Sequence, residues 1–208
     1  MIVRSTTTLQ VEHELRERIL DGRLVPGTHL VEMQLAQTLG VSRNTLREAL
    51  RSLAEQGLVT HHPHRGVEVT NLTEDDVADL FRLRLVLEDA GLAALDAAGA
   101  ERLREETDAF GDALARGDAI EALEHDFAFH RTIVAALGSA RLCAAHERAQ
   151  GELRIALLQL DRDYEPPQVE EHRAIVEALP GRAARAALRA HLTRAQLRLQ
   201  HLVTARES

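Results

Sequence analysis

The chain has 208 residues, a formal net charge of −8 at pH 7 and hydrophobic residues at 45% of its positions, enough for one large or two small packed domains. No stretch approaches the roughly eighteen consecutive apolar residues that a membrane helix needs, and the N-terminus lacks the apolar run of a signal peptide. The single cysteine, Cys143, cannot form an internal disulfide, so the composition favours a cytoplasmic protein with no membrane partner.

The negative charge is unevenly distributed along the chain. Up to Leu72, eight arginines balance eight acidic residues, so the whole net charge lies in the remainder. A neutral segment joined to an acidic one is compatible with specific DNA binding through a small patch. It argues against non-specific coating of nucleic acid.

The first seventy residues predict three helices. Residues 9–21 have apolar side chains at helical spacing, and a turn through Pro26-Gly27 follows them. A second helix is expected to end at Gly40, because glycine readily adopts the left-handed conformation that closes a helix. Ser42 suits the N-cap of a third helix. The buried stripe of this third helix is predicted to contain Leu46, Leu50 and Leu53.

Polar side chains cluster at the N-terminal end of the third helix, off its apolar stripe. This layout is typical of a recognition helix, whose first turns contact base edges and phosphates in the major groove. The DNA contacts predicted on and beside this helix are Ser42, Arg43, Asn44, Thr45, Arg47 and Arg51.

Two short strands are predicted at 58–62 and 66–70. His64 and Arg65 at the tip, with Gly66 allowing a close backbone approach, suit a wing that reaches a phosphate or the minor groove. The local sequence fits an ordinary exposed turn equally well. The neighbouring helix-turn-helix favours the wing, so these three residues are further predicted DNA contacts.

From residue 73 onwards the sequence predicts helices only, and Thr73 with Asp76 forms a variant of the N-terminal capping box. Helices are expected at about 74–98, 101–116, 118–137, 139–160, 167–179 and 181–204, with breaks near Gly99, Gly117, Gly138, the stretch 161–167 and Pro180-Gly181. The predicted fold is therefore mainly α. It combines a winged helix-turn-helix with a small β-hairpin (1–72) and an antiparallel α-helical bundle (73–208).

Four polar side chains interrupt the apolar stripes of the predicted bundle. Asp126 and His130 share a helix face because they are four residues apart, and His172 and His191 fall in register with apolar residues of two later helices. One carboxylate and three imidazoles suit a zinc, nickel or manganese-type ion with open positions for a ligand. Taken singly, each histidine is more simply a satisfied core or boundary residue. The unmatched histidines, expected at the surface, are His125, His146 and His201.

Two long patterns resemble a known family. The pattern L-A-x-x-L-G-V-S-R-x-x-L-R-E-A-L-R-x-L-x-x-x-G-L-V at residues 35–59 resembles the winged helix-turn-helix of the GntR family of bacterial transcription regulators. Residues 74–208 resemble the ligand-binding (FCD-type) domain of its fatty-acid-regulator branch. Metal-binding members of that branch have Asp-x-x-x-His in one helix and a histidine in each of the last two helices. The resemblance therefore implies a divalent metal bound by Asp126, His130, His172 and His191.

The same resemblance implies that Arg84 faces the effector cavity, where a guanidinium can hold a carboxylate at two points. The alternative is an i,i+4 ion pair with Glu88 on a solvated face, and the sequence favours neither. At the position of Met33 the family frequently has a basic residue that meets DNA, so one backbone contact is expected to be absent here.

The resulting hypothesis is a ligand-responsive transcription regulator. A homodimer would bind a near-palindromic operator in double-stranded DNA. A small carboxylate effector bound near the metal would change the relative placement of the two DNA-binding domains. Two alternatives remain open. One is a metal-dependent hydrolase-like enzyme, although no general base stands at an H-E-x-x-H spacing. The other is a regulator whose helical bundle serves only as a dimeriser.

Overall fold

The structure is a computed structural model that describes residues 6–63, 65–158 and 169–207. The described residues form two compact units. The first contains the residues up to Leu72 together with the segment that starts at Arg148, and the second contains Thr73–Glu147 together with the last two helices. Within these described ranges, every helix is too short or too polar to cross a bilayer.

The first unit confirms the predicted winged helix-turn-helix. Its elements are α1 (Thr6–Leu20), β1 (His29–Leu30), α2 (Glu32–Leu39), α3 (Arg43–Glu55), β2 (Val59–His62) and β3 (Gly66–Val69). The strands form an antiparallel sheet in the order β1-β3-β2, in which β2 and β3 are the predicted hairpin and β1 is an additional strand. The sequence predicts a turn where β1 lies, since a strand of two residues is too short to show an alternating pattern.

The turn between α2 and α3 follows the local signals in the sequence. Gly40 closes α2 in the left-handed conformation with a φ of 65°, and the Ser42 hydroxyl accepts a hydrogen bond from the Thr45 amide at 3.1 Å. The apolar stripe of α3 is buried and packs into a core with α1 and the sheet. Buried members of this core include Leu15, Ile19, Leu46, Leu50, Leu53, Val59 and Val69.

A helix from later in the chain completes the first unit. Helix α7 (Ala140–Leu158) contributes its second half, and two glycines allow the approach. A Cβ atom at Gly151 would lie 1.7 Å from the backbone oxygen of Gln56, and a Cβ atom at Gly57 would lie 2.6 Å from that of Arg148. The unit with the helix-turn-helix thus includes a segment from far beyond residue 72, whereas the predicted boundary assigns it to the helical region.

The described residues of the second unit form helices and short connections, with no strand among them. Besides the first half of α7, it contains α4 (Glu74–Ala94), α5 (Ala97–Arg116), α6 (Ala119–Ala135), α8 (Val169–Glu177) and α9 (Arg182–Glu207). The Thr73–Asp76 capping box is confirmed: the Thr73 amide donates to Asp76 Oδ2 at 2.9 Å, and the Asp76 amide donates to Thr73 Oγ1 at 3.2 Å. The predicted break at 161–167 lies outside the described residues.

The predicted break near Gly99 is wrong. Helix α4 ends at Ala94, and α5 begins at Ala97 because the Asp96 side chain caps it, accepting from the Gly99 amide at 2.7 Å. Gly99 is buried inside the first turn of α5, where its missing side chain leaves room for Leu95. Asp96 is an N-cap and therefore a strong signal that a helix begins. An isolated glycine is a weaker signal that a helix ends.

Helices α4 and α6 touch where Gly91 lies. A Cβ atom at Gly91 would be 2.3 Å from the backbone oxygen of Ile133, closer than any real Cβ contact. Gly91→Ala should therefore lower the free energy of unfolding by about 2–3 kcal/mol, measured by urea denaturation, because the two backbones must separate. Gly111→Ala is the matched control in α5, where the nearest atom, in Val169, is 3.3 Å away. Equal urea midpoints for the two variants would contradict this packing.

Candidate functional site

The first candidate site is the exposed N-terminal end of α3. The side chains of Ser42, Arg43, Asn44 and Arg47 are exposed there, and Thr45 is half-buried. Ser42 Oγ and Thr45 Oγ1 share a hydrogen bond of 2.8 Å, so both hydroxyls are held at the helix start. Backbone amides and short polar groups at a helix N-terminus suit the negative phosphates of DNA.

The arginines of α3 differ in their hydrogen bonds and ion pairs. Arg47 Nε donates to Glu32 Oε2 at 2.6 Å, whereas the Arg43 side chain has no hydrogen bond or ion pair within the described part of the chain. Arg51 Nη1 lies 3.4 Å from Glu48 Oε1. A guanidinium bound through Nε still presents its two terminal nitrogens, so the Glu32 contact leaves Arg47 able to make a bidentate contact. Met33, exposed beside Glu32, cannot contribute a cation.

The wing presents Arg65 in the turn between β2 and β3 and Gly66 at the start of β3. Both are exposed, and Gly66 has a φ of 89°, a conformation that favours glycine. His64 lies outside the described residues. Arg65 and Gly66 also line an open groove of about 550 Å³ that includes Glu32 at the start of α2. The predicted wing contacts that the structure describes are thus accessible.

The second candidate site lies inside the second unit. Helix α6 supplies Asp126 and His130, α8 supplies His172 and α9 supplies His191, and all four side chains are buried. Their candidate ligand atoms all lie within 4.8 Å of one another. The structure therefore brings together the four residues that the sequence predicts as metal ligands. We call them the metal cluster.

The distances inside the metal cluster fit a bound cation. His130 Nε2 lies 3.2 Å from His191 Nε2, and His172 Nε2 lies 3.3 Å from Asp126 Oδ1. Atoms bound tetrahedrally to zinc at about 2.0–2.1 Å are about 3.3 Å apart, so little movement is needed. Asp126 Oδ1 and both ring nitrogens of His172 are buried and have no hydrogen-bond partner in the described part of the chain. Such groups are costly in a protein interior unless an ion or water satisfies them.

Two histidines of the cluster are held by carboxylates, and the third is held by an aromatic ring. Glu88 Oε2 accepts from His130 Nδ1 at 2.6 Å, and Glu171 Oε2 accepts from His191 Nδ1 at 2.7 Å. The ring of His172 instead stacks on Phe129, with centroids 4.1 Å apart and planes 4° from parallel. In all three cases Nε2 lies at the cluster.

Glu88 is a fully buried acceptor shared by three side chains. Besides His130, Arg84 Nε donates to Glu88 Oε1 at 2.8 Å and His146 Nε2 donates to it at 3.1 Å. The predicted surface position of His146 is wrong, because this ring is buried against Glu88. His201 is exposed, and His125 is half-buried beside Glu106.

The Arg84–Glu88 ion pair of the second alternative is present, but it does not lie on a solvated face. Both side chains are buried, and the guanidinium carbon of Arg84 lies 5.1 Å from the centroid of the Phe81 ring. Arg84 Nη2 is buried without a hydrogen-bond partner among the described residues. Arg84 therefore pairs with Glu88 through Nε, and its Nη2 remains available to donate a further hydrogen bond.

Burial and charge set the protonation of these groups. Burial lowers the pKa of His172 well below its ordinary value, and the neighbouring His191 and His130 lower it further. Burial also lowers the pKa of His130, although Glu88 opposes this. Burial raises the pKa of Glu88, but Arg84 and His130 outweigh it and hold that pKa well below its usual value. Neutral imidazoles beside an ionised carboxylate are the forms that bind a metal.

Glu171 is similarly anionic. Burial raises its pKa, but the hydrogen bonds from His191 and Arg194 dominate and lower the pKa to about 2. The roles of Glu171, Glu88 and His146 are not predicted from the sequence. For His146 a signal exists, since Ala149 and Leu153 follow it at helical spacing and are buried with it. Glu171 shows no such signal.

The chain matches two family models. The model of the gntR family of bacterial regulatory proteins matches residues 7–69, and the FCD domain model matches residues 79–194. A relative in Paenarthrobacter nicotinovorans, named a probable D-xylose utilization operon transcriptional repressor, is 33% identical over 86% of this chain and 80% of its own. The gluconate operon transcriptional repressor of Bacillus subtilis is 32% identical over 64% of this chain and 56% of its own.

Two solved structures have the same fold. The structure of a GntR protein from Rhodococcus sp. RHA1 superposes with a TM-score of 0.77 at 30% identity and covers 94% of this chain and 98% of its own. McbR/YncC of Escherichia coli gives a TM-score of 0.73 at 23% identity, over 95% of this chain and 98% of its own. The second likeness concerns the fold alone.

Proposed function

Since the chain belongs to the GntR family of bacterial regulatory proteins, with an FCD domain after its helix-turn-helix, we propose that it represses transcription as a homodimer and responds to a small carboxylate bound beside a divalent metal. It is a ligand-responsive DNA-binding regulator and not an enzyme, because the family and its named relatives regulate transcription. The metal-dependent hydrolase alternative is therefore set aside.

The observation that supports the effector site is the buried metal cluster. Its donor set of Asp126 with three histidines suits zinc, nickel or a manganese-type ion. A divalent ion held there supplies a Lewis-acidic position that attracts an anionic oxygen. Arg84 is linked to the cluster through Glu88, and its buried Nη2 has no hydrogen-bond partner among the described residues. This donor suits a second carboxylate oxygen.

The proposed DNA contacts lie on α3 and the wing. Arg43 and Arg47 bind guanines or phosphates, while Ser42, Asn44 and Thr45 make shorter contacts. Arg51, His64, Arg65 and Gly66 complete the proposed interface. Two copies of this surface in a homodimer require a near-palindromic operator. The protein acts in the cytoplasm, where bacterial DNA lies.

The effector proposal is tested by thermal shift of the zinc-loaded and the EDTA-treated protein. The probes are gluconate, lactate, citrate and benzoate, with sorbitol as the uncharged counterpart of gluconate and D-xylose as a neutral sugar. At about 100 times its Kd, an effector adds about 2.7 kcal/mol of stability, which is a rise in Tm of roughly 5–10 °C for a chain of this size.

We expect at least one carboxylate to raise the Tm of the zinc-loaded protein only, and to release operator DNA. Stabilisation by D-xylose or sorbitol, with no carboxylate effective, would contradict a carboxylate effector. If none of these probes changes either Tm or operator affinity, the helical unit acts as a dimeriser alone.

A further inference from the structure

We infer that Glu171 is a positioning residue of the metal cluster: it turns His191 so that Nε2 faces the ion, and Glu88 does the same for His130. This inference rests on the proposed metal site and adds residues that are not themselves ligands. Neither carboxylate belongs to the metal cluster, and each accepts from a different histidine.

An imidazole offers a metal only the nitrogen that lacks a proton. When Nδ1 donates its proton to a carboxylate, the lone pair is on Nε2. Glu171 Oε2 lies 2.7 Å from His191 Nδ1, and Glu88 Oε2 lies 2.6 Å from His130 Nδ1. Both histidines are thereby fixed in the tautomer with a bare Nε2.

The consequence is visible between the two rings. His130 Nε2 and His191 Nε2 are only 3.2 Å apart, and the rings are nearly parallel at 17°. With both protons on Nδ1, two lone pairs oppose each other across that gap. This arrangement is unfavourable in a buried site unless a cation lies between the lone pairs. The two carboxylates therefore prepare the site for a metal rather than for a histidine–histidine hydrogen bond.

Glu171 is itself firmly held, as a positioning residue must be. Arg194 Nε donates to Glu171 Oε1 at 2.7 Å, and Arg198 lies 3.6 Å from Oε2. Glu171 precedes the ligand His172 on α8, whereas His191 and both arginines lie on α9. The carboxylate thus couples the two helices that supply His172 and His191.

The test compares Glu171→Gln with Glu170→Gln. Glu170 is the adjacent exposed glutamate, 3.5 Å from Arg173 and outside the cluster contacts, so it is a matched control. A glutamine amide can donate to Nδ1, which would move the proton of His191 to Nε2 and block its lone pair. We expect zinc affinity, measured by competition with a chelating dye at pH 7, to fall about 10–100-fold in Glu171→Gln and to stay unchanged in Glu170→Gln.

Two further readouts separate positioning from a merely structural role. Urea unfolding of the metal-free proteins shows whether Glu171→Gln only loosens α8 from α9, and the visible spectrum of the cobalt complex reports the ligand set. We expect the metal-free variant to stay folded and its cobalt spectrum to keep the three-histidine pattern once the site is saturated. Glu88→Gln gives a second measurement of zinc affinity. This replacement also affects the hydrogen bonds that Glu88 accepts from two histidines and from Arg84.

Unchanged zinc affinity in Glu171→Gln, with a wild-type protein that binds zinc, would overturn this inference alone. The inference would also be overturned if zinc affinity fell only as far as the metal-free protein lost stability. The effect of the substitution would then be structural. A wild-type protein that binds no divalent metal would overturn the proposed metal site and, with it, this inference.

Discussion

Replacing His130 by alanine is expected to abolish stoichiometric zinc binding and the metal-dependent part of the protein's thermal stability. His130 Nε2 lies 3.2 Å from His191 Nε2 and 3.9 Å from Asp126 Oδ1, so it is close to two other candidate ligands. Its loss should weaken zinc binding by more than the roughly 10–100-fold that loss of an outer partner costs.

The stability effect follows from mass action. A ligand present at about 1,000 times its Kd stabilises the folded state by about 4 kcal/mol, which corresponds to roughly 10 °C in the Tm of a chain of this length. Zinc should raise the Tm of the wild type by about that amount and leave the Tm of His130→Ala unchanged. Differential scanning calorimetry with and without zinc measures the difference directly.

His125→Ala is the control, because His125 lies on the same helix α6 but pairs with Glu106 outside the cluster. It should bind zinc as the wild type does. The metal-free form of His130→Ala must be measured as well, since removing the imidazole also takes one partner from the buried Glu88. A His130→Ala protein that still binds one zinc ion with wild-type affinity would refute the metal cluster.

The second large effect is expected at the recognition helix. Arg43→Ala and Arg47→Ala should each weaken operator binding about 5–150-fold, because a bidentate guanine contact is worth about 1–3 kcal/mol. The operator is first selected from random DNA with the wild-type protein, and affinities are then measured at fixed salt by fluorescence anisotropy. Arg82→Ala, an exposed arginine of α4 paired with Asp79, is the control and should bind normally.

The two arginines should differ in how Glu32 affects them. In Arg47→Ala the Glu32 carboxylate loses its partner and faces the DNA uncompensated, so Glu32→Ala should restore part of the lost affinity in that background. It should do nothing for Arg43→Ala, since Arg43 has no carboxylate partner in the described chain. If the Arg43→Ala, Arg47→Ala double variant binds the selected operator with wild-type affinity, α3 is not the recognition helix.

Elements whose signals are local can be predicted from the sequence alone. Gly40 and Ser42 define the turn of the helix-turn-helix because left-handed closure and N-capping depend on single residues. Asp126 and His130 could be paired from spacing alone, since residues four apart share a helix face. The phase of an apolar stripe placed His172 and His191 inward in the same way.

Contacts between distant groups depend on tertiary packing and cannot be predicted from the sequence. Glu88, Glu171 and the buried His146 are recognised by their partners on other helices, and the packing of helices leaves no spacing rule in the sequence. The second half of α7 joins the first unit through backbone contacts at Gly57 and Gly151, which likewise have no periodic signature. Local propensity and burial phase are properties of one segment, whereas a hydrogen-bond partner depends on where two segments lie after folding.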